Sequence, residues 1–282
     1  YISAMRGHSV TLFDKRQKLG GQLNYAVKIP GKQEFFEVIR FYEVMLKKYG
    51  VEVKLGQIIS PKSPLTGKYD AVVLATGVRP RKLELEGADH FKVLSYLDVL
   101  DKERSLGLKV AIIGAGGIGI DVAHYLTAQT PFSGDVPNYL QSHGILDSNE
   151  ALEVRKPKKR EVTVLQRSSD KIGKRLGKTT GWAHMQSLKS HGVKLIPGAH
   201  YKKIDDLGLH LRVAINKGYD PQETVLDVDN IVVAAGQEPM RDLEVHLIQL
   251  GYEVHVIGGA RESLELDAET AINEGAELAA KL

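Results

Sequence analysis

The sequence contains no cysteine among its 282 residues. This absence excludes a disulfide framework, a thiol nucleophile, a redox-active C-x-x-C pair and a cysteine-ligated iron–sulfur cluster within the chain. The apolar runs are all shorter than the ~20 residues that a membrane-spanning helix needs, and no signal peptide is visible. The sequence therefore predicts a cytoplasmic protein that does not associate with membranes.

The sequence also lacks a large excess of positive or negative charge, because its formal net charge is only +3. Nucleic-acid binding usually needs a basic surface, and the basic cluster at residues 155–160 favours a solvated loop over a binding patch. Two of the histidines, His184 and His191, share a predicted helix face but are too far apart to chelate a metal alone. No nucleophile motif of Ser, His and Asp is recognisable. We expect no nucleic-acid partner, no metal site and no catalytic side chain.

A short apolar run leads directly into the pattern G-x-G-x-x-G, which begins at Gly114. In a strand–turn–helix unit, the first glycine permits a tight turn, the second lets the backbone approach a pyrophosphate, and the third lets the helix pack closely on the strand. The free N–H groups at the helix start then face the anion. An ordinary glycine turn is the alternative, but the strand and helix signals favour a nucleotide. The predicted cradle comprises Gly114, Gly116, Gly117, Ile118 and Gly119.

The residues after the second strand of this unit indicate which coenzyme it binds. At this position an acid would select a free 2′-hydroxyl, whereas the sequence has Gln166-Arg167. A carboxylate would repel a 2′-phosphate, and a guanidinium can bind it through two hydrogen bonds. Arg167 therefore predicts NADP(H), with an ordinary surface arginine as the alternative. Further positive potential would come from Lys171, Lys174, Arg175 and Lys178.

A second nucleotide-binding unit is indicated at the start of the chain. The first residues have the pattern of a helix end that stops at Gly7, and the strand that follows ends in Asp14. In a βαβ dinucleotide unit, the second strand ends in an acid that binds the ribose, although a turn aspartate is the alternative. The first strand and its glycine loop would then precede Tyr1. We therefore expect the sequence to be a piece of a larger protein.

The two units share one sequence pattern, and we infer that the second is inserted in the first. The predicted fold is α/β with two Rossmann-like nucleotide-binding domains, over residues 1–107 with 236–282 and over residues 108–235. Residues 129–160 break the pattern and are either an ordered excursion or partly disordered. Three alternating runs before the last strand of the inserted domain predict a small antiparallel meander. Glycine-containing turns that would face a cofactor are Gly20, Gly21, Gln22, Ala75, Thr76, Gly77, Ala235 and Gly236.

Several longer blocks resemble the C-terminal half of bacterial NADPH-dependent 2,4-dienoyl-CoA reductases, which are related to trimethylamine dehydrogenase-like flavoproteins of the old yellow enzyme group. The similarity runs over essentially the whole chain, and the blocks that carry it lie at residues 20–24, 29–32, 93–100, 109–119, 176–182 and 235–239. In that family an N-terminal barrel with FMN and a [4Fe–4S] cluster reduces the dienoyl-CoA in the β-oxidation of unsaturated fatty acids. FAD and NADPH bind in C-terminal domains.

The resemblance implies that the N-terminally truncated first domain binds FAD and that the inserted domain binds NADP(H). Asp14 would then hold the adenosine ribose of FAD, and the turn at residues 20–22 would approach the flavin. The closing FAD segment would include Gly258, Gly259 and Asp267. Where the family often has Gly-Asp, this chain has Gly259-Ala260-Arg261. The resemblance also implies that the acyl-CoA would bind to a barrel expected to precede this chain.

Two other functions remain open from the sequence. One is a non-catalytic ADP-binding domain of a trimethylamine dehydrogenase-like protein. The other is a ferredoxin- or thioredoxin-type reductase, which the missing C-x-x-C pair disfavours. Because the first FAD strand would lie upstream, we expect the chain alone to bind NADP(H), to hold FAD weakly and to reduce no dienoyl-CoA.

Overall fold

The computed structural model describes residues 1–62, 65, 69–101, 104–128, 160–174, 176–177, 181–214, 220–264 and 267–282. They form two compact units. The first unit comprises residues 1–27, 31–81 and 237–282, and the second comprises residues 28–30 and 82–236. The predicted excursion at residues 129–160 lies outside the described residues except for Arg160.

Fourteen strands and eight α-helices are present in the described residues. The strands are β1 (Thr11–Asp14), β2 (Glu52–Leu55), β3 (Ala71–Leu74), β4 (Val78–Pro80), β5 (Val93–Ser95), β6 (Lys109–Ile113), β7 (Glu161–Leu165), β8 (Lys194–Ile196), β9 (His200–Asp205), β10 (Gly208–Val213), β11 (Gln222–Leu226), β12 (Asn230–Val233), β13 (Gln237–Pro239) and β14 (Glu253–Val256). The helices are α1 (Ile2–Met5), α2 (Leu23–Ala26), α3 (Phe35–Lys48), α4 (Tyr96–Leu100), α5 (Gly117–Ala128), α6 (Gly181–Ser190), α7 (Glu244–Gln249) and α8 (Ala268–Lys281).

The second unit is built around a five-stranded parallel sheet in the order β5-β12-β6-β7-β8. Its middle strand, β6, is buried from Val110 to Ile113. A parallel strand that is covered on both faces carries a continuous apolar run rather than an alternating one. The run that the sequence showed before Gly114 is therefore the centre of this sheet.

The predicted antiparallel meander is confirmed as the sheet β11-β10-β9. Alternate residues of β10, namely Leu209, Leu211 and Val213, are buried in one cluster with Ile113 and Leu165 of the parallel sheet. The period of two along β10 thus directs one face of the meander into the core of the second unit.

The boundary between the units falls after residue 81, whereas the sequence placed it after residue 107. The reason is β5, which pairs in parallel with β12 in the register Val93↔Ile231 and Ser95↔Val233. Residues 82–107 therefore belong with the parallel sheet of the second unit, and they supply its edge strand.

Helix α4 follows this edge strand and begins with a capping box. The Ser95 hydroxyl accepts the Asp98 N–H at 3.2 Å, and the Asp98 carboxylate accepts the Ser95 N–H at 2.8 Å. The helix buries Tyr96, Val99 and Leu100. The block at residues 93–100, which carries much of the sequence resemblance, therefore forms a strand, a cap and part of the core.

Removing the cap is expected to destabilise the second unit. Ser95→Ala deletes the hydroxyl that accepts the Asp98 N–H, and loss of such a cap costs about 0.5–2 kcal/mol of the free energy of unfolding. Urea titration would measure the change. Ser190→Ala, at the last residue of α6, is the matched control, because in the described part of the chain its hydroxyl bonds to the Ser187 carbonyl of its own helix and to no other group. Equal losses in both variants would contradict the role of the cap.

The first unit contains two separate parallel pairs, β1-β2 and β14-β3, and an antiparallel pair, β13-β4. Among the described residues, β1 has only β2 as a ladder partner, and β3 has only β14. Val73 on β3 is 41% exposed, in contrast to the buried middle strand of the second unit. The pair β13-β4 places Gln237 opposite Pro80 and Pro239 opposite Val78.

Helix α3 packs its apolar side, including Ile39 and Leu46, into the first unit. It ends at Lys48, and Gly50, two residues later, has a φ of 68° and donates its N–H to the Lys47 carbonyl at 3.2 Å. A left-handed residue after the last helical turn is a common helix stop. None of the helices in the described part of the chain is both long and apolar enough to cross a bilayer.

Candidate nucleotide-binding site

The predicted glycine cradle lies at the end of β6, in the middle of the parallel sheet. Gly114 has a φ of 112°, and a Cβ there would lie 2.3 Å from the Ala234 carbonyl oxygen. A Cβ at Gly119 would lie 1.9 Å from the Gly114 carbonyl oxygen. Both positions therefore require glycine, the first for the turn and the second for close packing of α5 on the strand.

Between these two crowded glycines, the turn is open. Apart from neighbours along the chain, no heavy atom of the described residues lies within 4 Å of a Cβ built at Gly116 or Gly117. Helix α5 starts here, and the Ile120 N–H donates to the Gly116 carbonyl at 3.0 Å. The N–H groups of the first helical turn, including that of Ile118, have no partner within a helix and carry the positive end of its dipole. The geometry is that of a pyrophosphate cradle.

The turn after β12 adjoins this cradle. The Ala234 N–H donates to the Ile113 carbonyl at 2.8 Å, so the chain continues the ladder past the end of β12. The Ala235 nitrogen would lie 3.0 Å from a Cβ at Gly114. Gly236, with a φ of 107°, ends the unit. The structure thus brings Ala235 next to the glycine turn, as expected for neighbouring parallel strands.

Arg167 lies beyond the end of β7, the strand adjacent to β6 in the sheet. The register Ile113↔Leu165 puts the residues after both strands at the same sheet edge. Arg167 is exposed and makes no ion pair with any residue that the structure describes. Burial raises the pKa of Tyr201 to about 12, and the positive charge of Arg167 acts in the opposite direction.

Of the four basic residues predicted downstream, two are described. Lys171 is exposed, and Lys174 is paired with Asp170 at 3.2 Å. Arg175 and Lys178 lie outside the described residues. Lys174 is therefore paired with a carboxylate of the same loop, whereas Arg167 has no such partner among the described residues.

In the first unit, Asp14 ends β1 as predicted. Its Oδ1 accepts the Arg16 N–H at 2.8 Å. This bond is typical of a turn aspartate, which was the alternative to ribose binding in the sequence analysis. The next turn is held in place by Arg16, whose guanidinium donates to the Gly21 carbonyl at 3.0 Å and to the Tyr25 hydroxyl. One carboxylate oxygen of Asp14 is thus engaged by the protein, and its ribose role remains a prediction.

The turn at residues 20–22 has one crowded and one open glycine. A Cβ at Gly20, where φ is 108°, would lie 2.7 Å from the Asn24 side-chain nitrogen. Gly21, with a φ of 50°, has no described atom within 4 Å of a Cβ. The Gln22 side chain accepts a hydrogen bond from Gln237 at 3.3 Å. The backbone at Gly21 is therefore open to a ligand.

The turn after β3 is tied to the return of the chain from the second unit. Ala75 and Thr76 are exposed, and the Thr76 hydroxyl donates to the Met240 carbonyl. Gly77 has a φ of 74°, and its carbonyl accepts the Met240 N–H at 2.9 Å. This turn leads directly into the β4-β13 pair.

The closing segment after β14 is buried from Gly258 to Ala260. The Gly258 N–H donates to the Glu274 carboxylate at 2.7 Å, and Arg261 pairs with the same carboxylate. These two contacts hold the pKa of Glu274 below its usual range. Gly259 lies within this turn. Asp267 caps α8 by accepting the Thr270 N–H at 2.7 Å, which also lowers its pKa.

Comparison with known families identifies the chain. Residues 2–269 match the family model described as pyridine nucleotide-disulphide oxidoreductase. The chain belongs to this family. Membership confirms the predicted α/β fold with Rossmann-like domains, and it makes the chain a flavin oxidoreductase module that uses NAD(P)H. The disulphide in the family's name has no counterpart in this sequence, which has no cysteine.

Three similar proteins are oxidoreductases. A metal reductase of Desulforamulus reducens is 25% identical over 246 residues, which cover 86% of this chain and 36% of the relative. A cinnamate reductase of Clostridium sporogenes is 29% identical over 249 residues, which cover 86% of this chain and 31% of the relative. A solved 2-naphthoyl-CoA reductase in complex with 2-naphthoyl-CoA has a TM-score of 0.80 and 25% identity, over 99% of this chain and 37% of that one. The chain therefore spans about a third of each.

The two family cofactors fit the two units to different degrees. In the second unit, a Cβ would fill the open space at Gly116, so the cradle fits a nucleotide pyrophosphate. In the first unit, Gly21 is open, but the Gly258 N–H and one oxygen of Asp14 are already bonded to protein groups. The residues present therefore fit the pyrophosphate of a nucleotide in the second unit, and they fit FAD only in part in the first unit.

Sequence reasoning missed Glu274, which brings a carboxylate to the closing turn from within α8. No local sequence signal indicates this role, because Glu274 reaches the Gly258 N–H only when α8 packs on the turn. It also missed the side-chain amide of Gln166, which donates to the carbonyls of Ser168 and Asp170 at 3.1 and 2.9 Å. A polar residue at the end of a buried strand was the only available signal.

Proposed function

We propose that the chain is the NADPH-to-FAD electron-input module of a flavoenzyme that resembles 2,4-dienoyl-CoA reductase. The observation that carries the proposal is the open turn at Gly116, bounded by glycines that cannot carry a side chain, with Arg167 at the end of the adjacent strand. This arrangement supports binding of a dinucleotide that carries an additional phosphate on its ribose.

The chain's own residues bind and orient the coenzyme. The backbone N–H groups at Gly117 and Ile118 would hold the pyrophosphate, and the Arg167 guanidinium would hold the 2′-phosphate. When bound, NADPH supplies a hydride and FAD accepts it. Such a transfer depends on ring orientation rather than on a protein acid or base. This is consistent with a site that has no predicted catalytic side chain.

Support for an acyl-CoA substrate comes from the similar proteins. The names of two of them state a reduction of cinnamate or of 2-naphthoyl-CoA, both of which are conjugated acyl compounds. We propose that the substrate is a 2,4-dienoyl-CoA from unsaturated fatty acids. Its reduction would take place on FMN, with a [4Fe–4S] cluster between the flavins, in a part of the protein outside this chain.

Rapid mixing of the full-length flavoprotein with NADPH tests the electron-input role. The proposal predicts fast loss of the visible flavin absorbance, followed by reoxidation when 2,4-dienoyl-CoA is added. No bleaching by either reduced coenzyme would overturn it. That result would favour the second candidate, a nucleotide-binding structural domain, which the engagement of Gly258 by Glu274 also supports. Bleaching without reoxidation by the dienoyl-CoA would refute only the proposed substrate.

Arg167→Ala is expected to remove most of the difference between the Kd values for NADPH and NADH. Loss of a hydrogen bond to a charged group costs roughly 1.5–3 kcal/mol, so the Kd for NADPH should rise about 10- to 150-fold. The Kd for NADH should change little, because NADH has no 2′-phosphate. Fluorescence titration of the full-length protein would measure both constants. The control is Arg104→Ala, since Arg104 is also exposed. Equal weakening of NADH would refute the assignment.

A further inference from the structure

The loop between β7 and Ile172 contains a side-chain amide whose bonds within the described residues are all to the loop's own backbone. Gln166 Nε2 donates to the Asp170 carbonyl at 2.9 Å and to the Ser168 carbonyl at 3.1 Å. We infer that Gln166 is a positioning residue for recognition of a 2′-phosphorylated ribose, which it serves by holding the loop that presents Arg167. This inference rests on the proposed function, because it concerns the same coenzyme site.

The backbone of Gln166 is held by its own hydrogen bonds, independently of the side-chain amide. Its N–H donates to the Ile196 carbonyl at 3.0 Å, and its carbonyl accepts the Ala199 N–H at 2.9 Å. The Gly198 N–H also donates to the Ser168 carbonyl at 2.9 Å. These bonds join the loop to the segment after β8. The amide of Gln166 therefore starts from a fixed point and determines the curvature of the following residues.

The two bonds of the amide also affect the charge that a phosphate would meet. Carbonyl oxygens are the negative ends of peptide dipoles, and a carbonyl that faced an anion would repel it. Gln166 directs the carbonyls of Ser168 and Asp170 toward its own side chain. These two carbonyls, both of which follow Arg167 in the chain, therefore face Gln166, and the Arg167 side chain is exposed.

The one carboxylate near Arg167 in this loop is also engaged. Asp170 accepts a hydrogen bond from the Ser168 hydroxyl at 3.2 Å and pairs with Lys174 at 3.2 Å. Within the described residues, Arg167 has no anionic partner that a phosphate would have to displace. Strong binding of an anion requires such an unpaired and preorganised cation.

Gln166 stands where an acid would bind the ribose hydroxyls in a unit that prefers NAD(H). The side-chain amide of Gln166 donates its hydrogen bonds within the loop. We therefore expect Gln166 to affect the coenzyme through Arg167 and not by direct contact. Its removal should therefore weaken the coenzyme that carries the 2′-phosphate and leave the other unchanged. A purely structural residue would affect both equally.

The test is calorimetric titration of the full-length protein with NADP⁺ and NAD⁺, which needs no turnover. Gln166→Leu keeps the side-chain size and removes both donors. The Kd for NADP⁺ should rise about tenfold, equivalent to about 1.4 kcal/mol, and the Kd for NAD⁺ should stay within about twofold. Gln166→Glu, which puts oxygen atoms against both carbonyls and adds negative charge, should raise the Kd for NADP⁺ further. Gln186→Leu, at an exposed position of α6, is the matched control.

A double-mutant cycle shows whether Gln166 acts through Arg167. In the Arg167→Ala background, Gln166→Leu should have no further effect on the Kd for NADP⁺. An undiminished effect there, or equal weakening of NAD⁺, would overturn the inference.

The wild-type protein distinguishes failure of the proposed function from failure of this inference. If the wild-type protein bound NAD⁺ as tightly as NADP⁺, both the proposed coenzyme preference and this inference would fail. If wild-type preference is seen and Gln166→Leu keeps it, the inference alone fails. Thermal unfolding of each variant confirms that a folded protein was titrated.

Discussion

Gly116→Ala is expected to leave the protein folded but unable to bind a dinucleotide tightly, whereas Gly119→Ala is expected to destabilise the second unit. A Cβ at Gly116 meets no described atom within 4 Å, so its cost in unfolding free energy should be below about 1 kcal/mol. It would, however, occupy the space that the pyrophosphate needs. We expect the Kd for NADPH to rise at least about tenfold.

At Gly119 the added atom would lie 1.9 Å from the Gly114 carbonyl oxygen, which is backbone and cannot rotate away. Overpacking of this kind costs roughly 3 kcal/mol at the upper end of its usual range. Urea unfolding and NADPH titration of both variants would separate the two effects. Gly275→Ala is the matched control, because a Cβ there makes ordinary contact at 3.8 Å with Ile257. A destabilised Gly116→Ala protein, or a stable Gly119→Ala protein that binds NADPH normally, would contradict this account of the turn.

The second large effect concerns the chain taken alone, which we expect to bind NADP(H) and to be purified almost free of FAD. The glycine cradle follows a strand with ladder partners on both sides, β12 and β7. In the first unit, β1 and β3 each have one partner among the described residues. Strand edges without partners leave backbone groups unsatisfied and the turns beyond them poorly fixed.

The measurement is the flavin content of the purified chain, with calorimetric titration of NADP⁺ on the same sample. We expect a flavin-to-protein ratio far below one and NADP⁺ binding that matches the full-length protein within a few-fold. The full-length protein, purified in the same buffer, is the control for loss of flavin during handling. A yellow chain with stoichiometric FAD would show that the open strand edges do not limit flavin binding.

The second unit could be predicted from sequence because its signals are local. The apolar run, the three glycines and the helix after Gly114 lie within a few residues of one another, and Gly114 and Gly119 have their steric reason in the turn itself. The domain boundary could not be predicted, since β5 is assigned by its pairing with β12, which lies far along the chain. Periodicity reports which face of a strand is buried and not which strand lies beside it.

The candidate site in the first unit shows the same limit. Asp14 was recognised as an acid at a strand end and Asp267 only through the resemblance, and the structure shows that each accepts a backbone N–H nearby. Such local bonds are compatible with the sequence pattern but do not reveal whether a ligand is also bound. Glu274 was not recognised because its bond to Gly258 requires α8 to pack on the closing turn. Contacts of this type depend on tertiary packing.

The β4-β13 ribbon has a consequence for how this protein could gain or lose a domain. Pro80, where the chain leaves the first unit, lies directly opposite Gln237, where the chain returns to it. Antiparallel strands that face each other in this way can be joined by a two-residue turn. A gene deletion that links the two positions through Asn-Gly would therefore excise the whole inserted segment and close the gap as an ordinary hairpin. Recombination at this one ribbon could exchange the coenzyme module while leaving the sequence of the host unit unchanged.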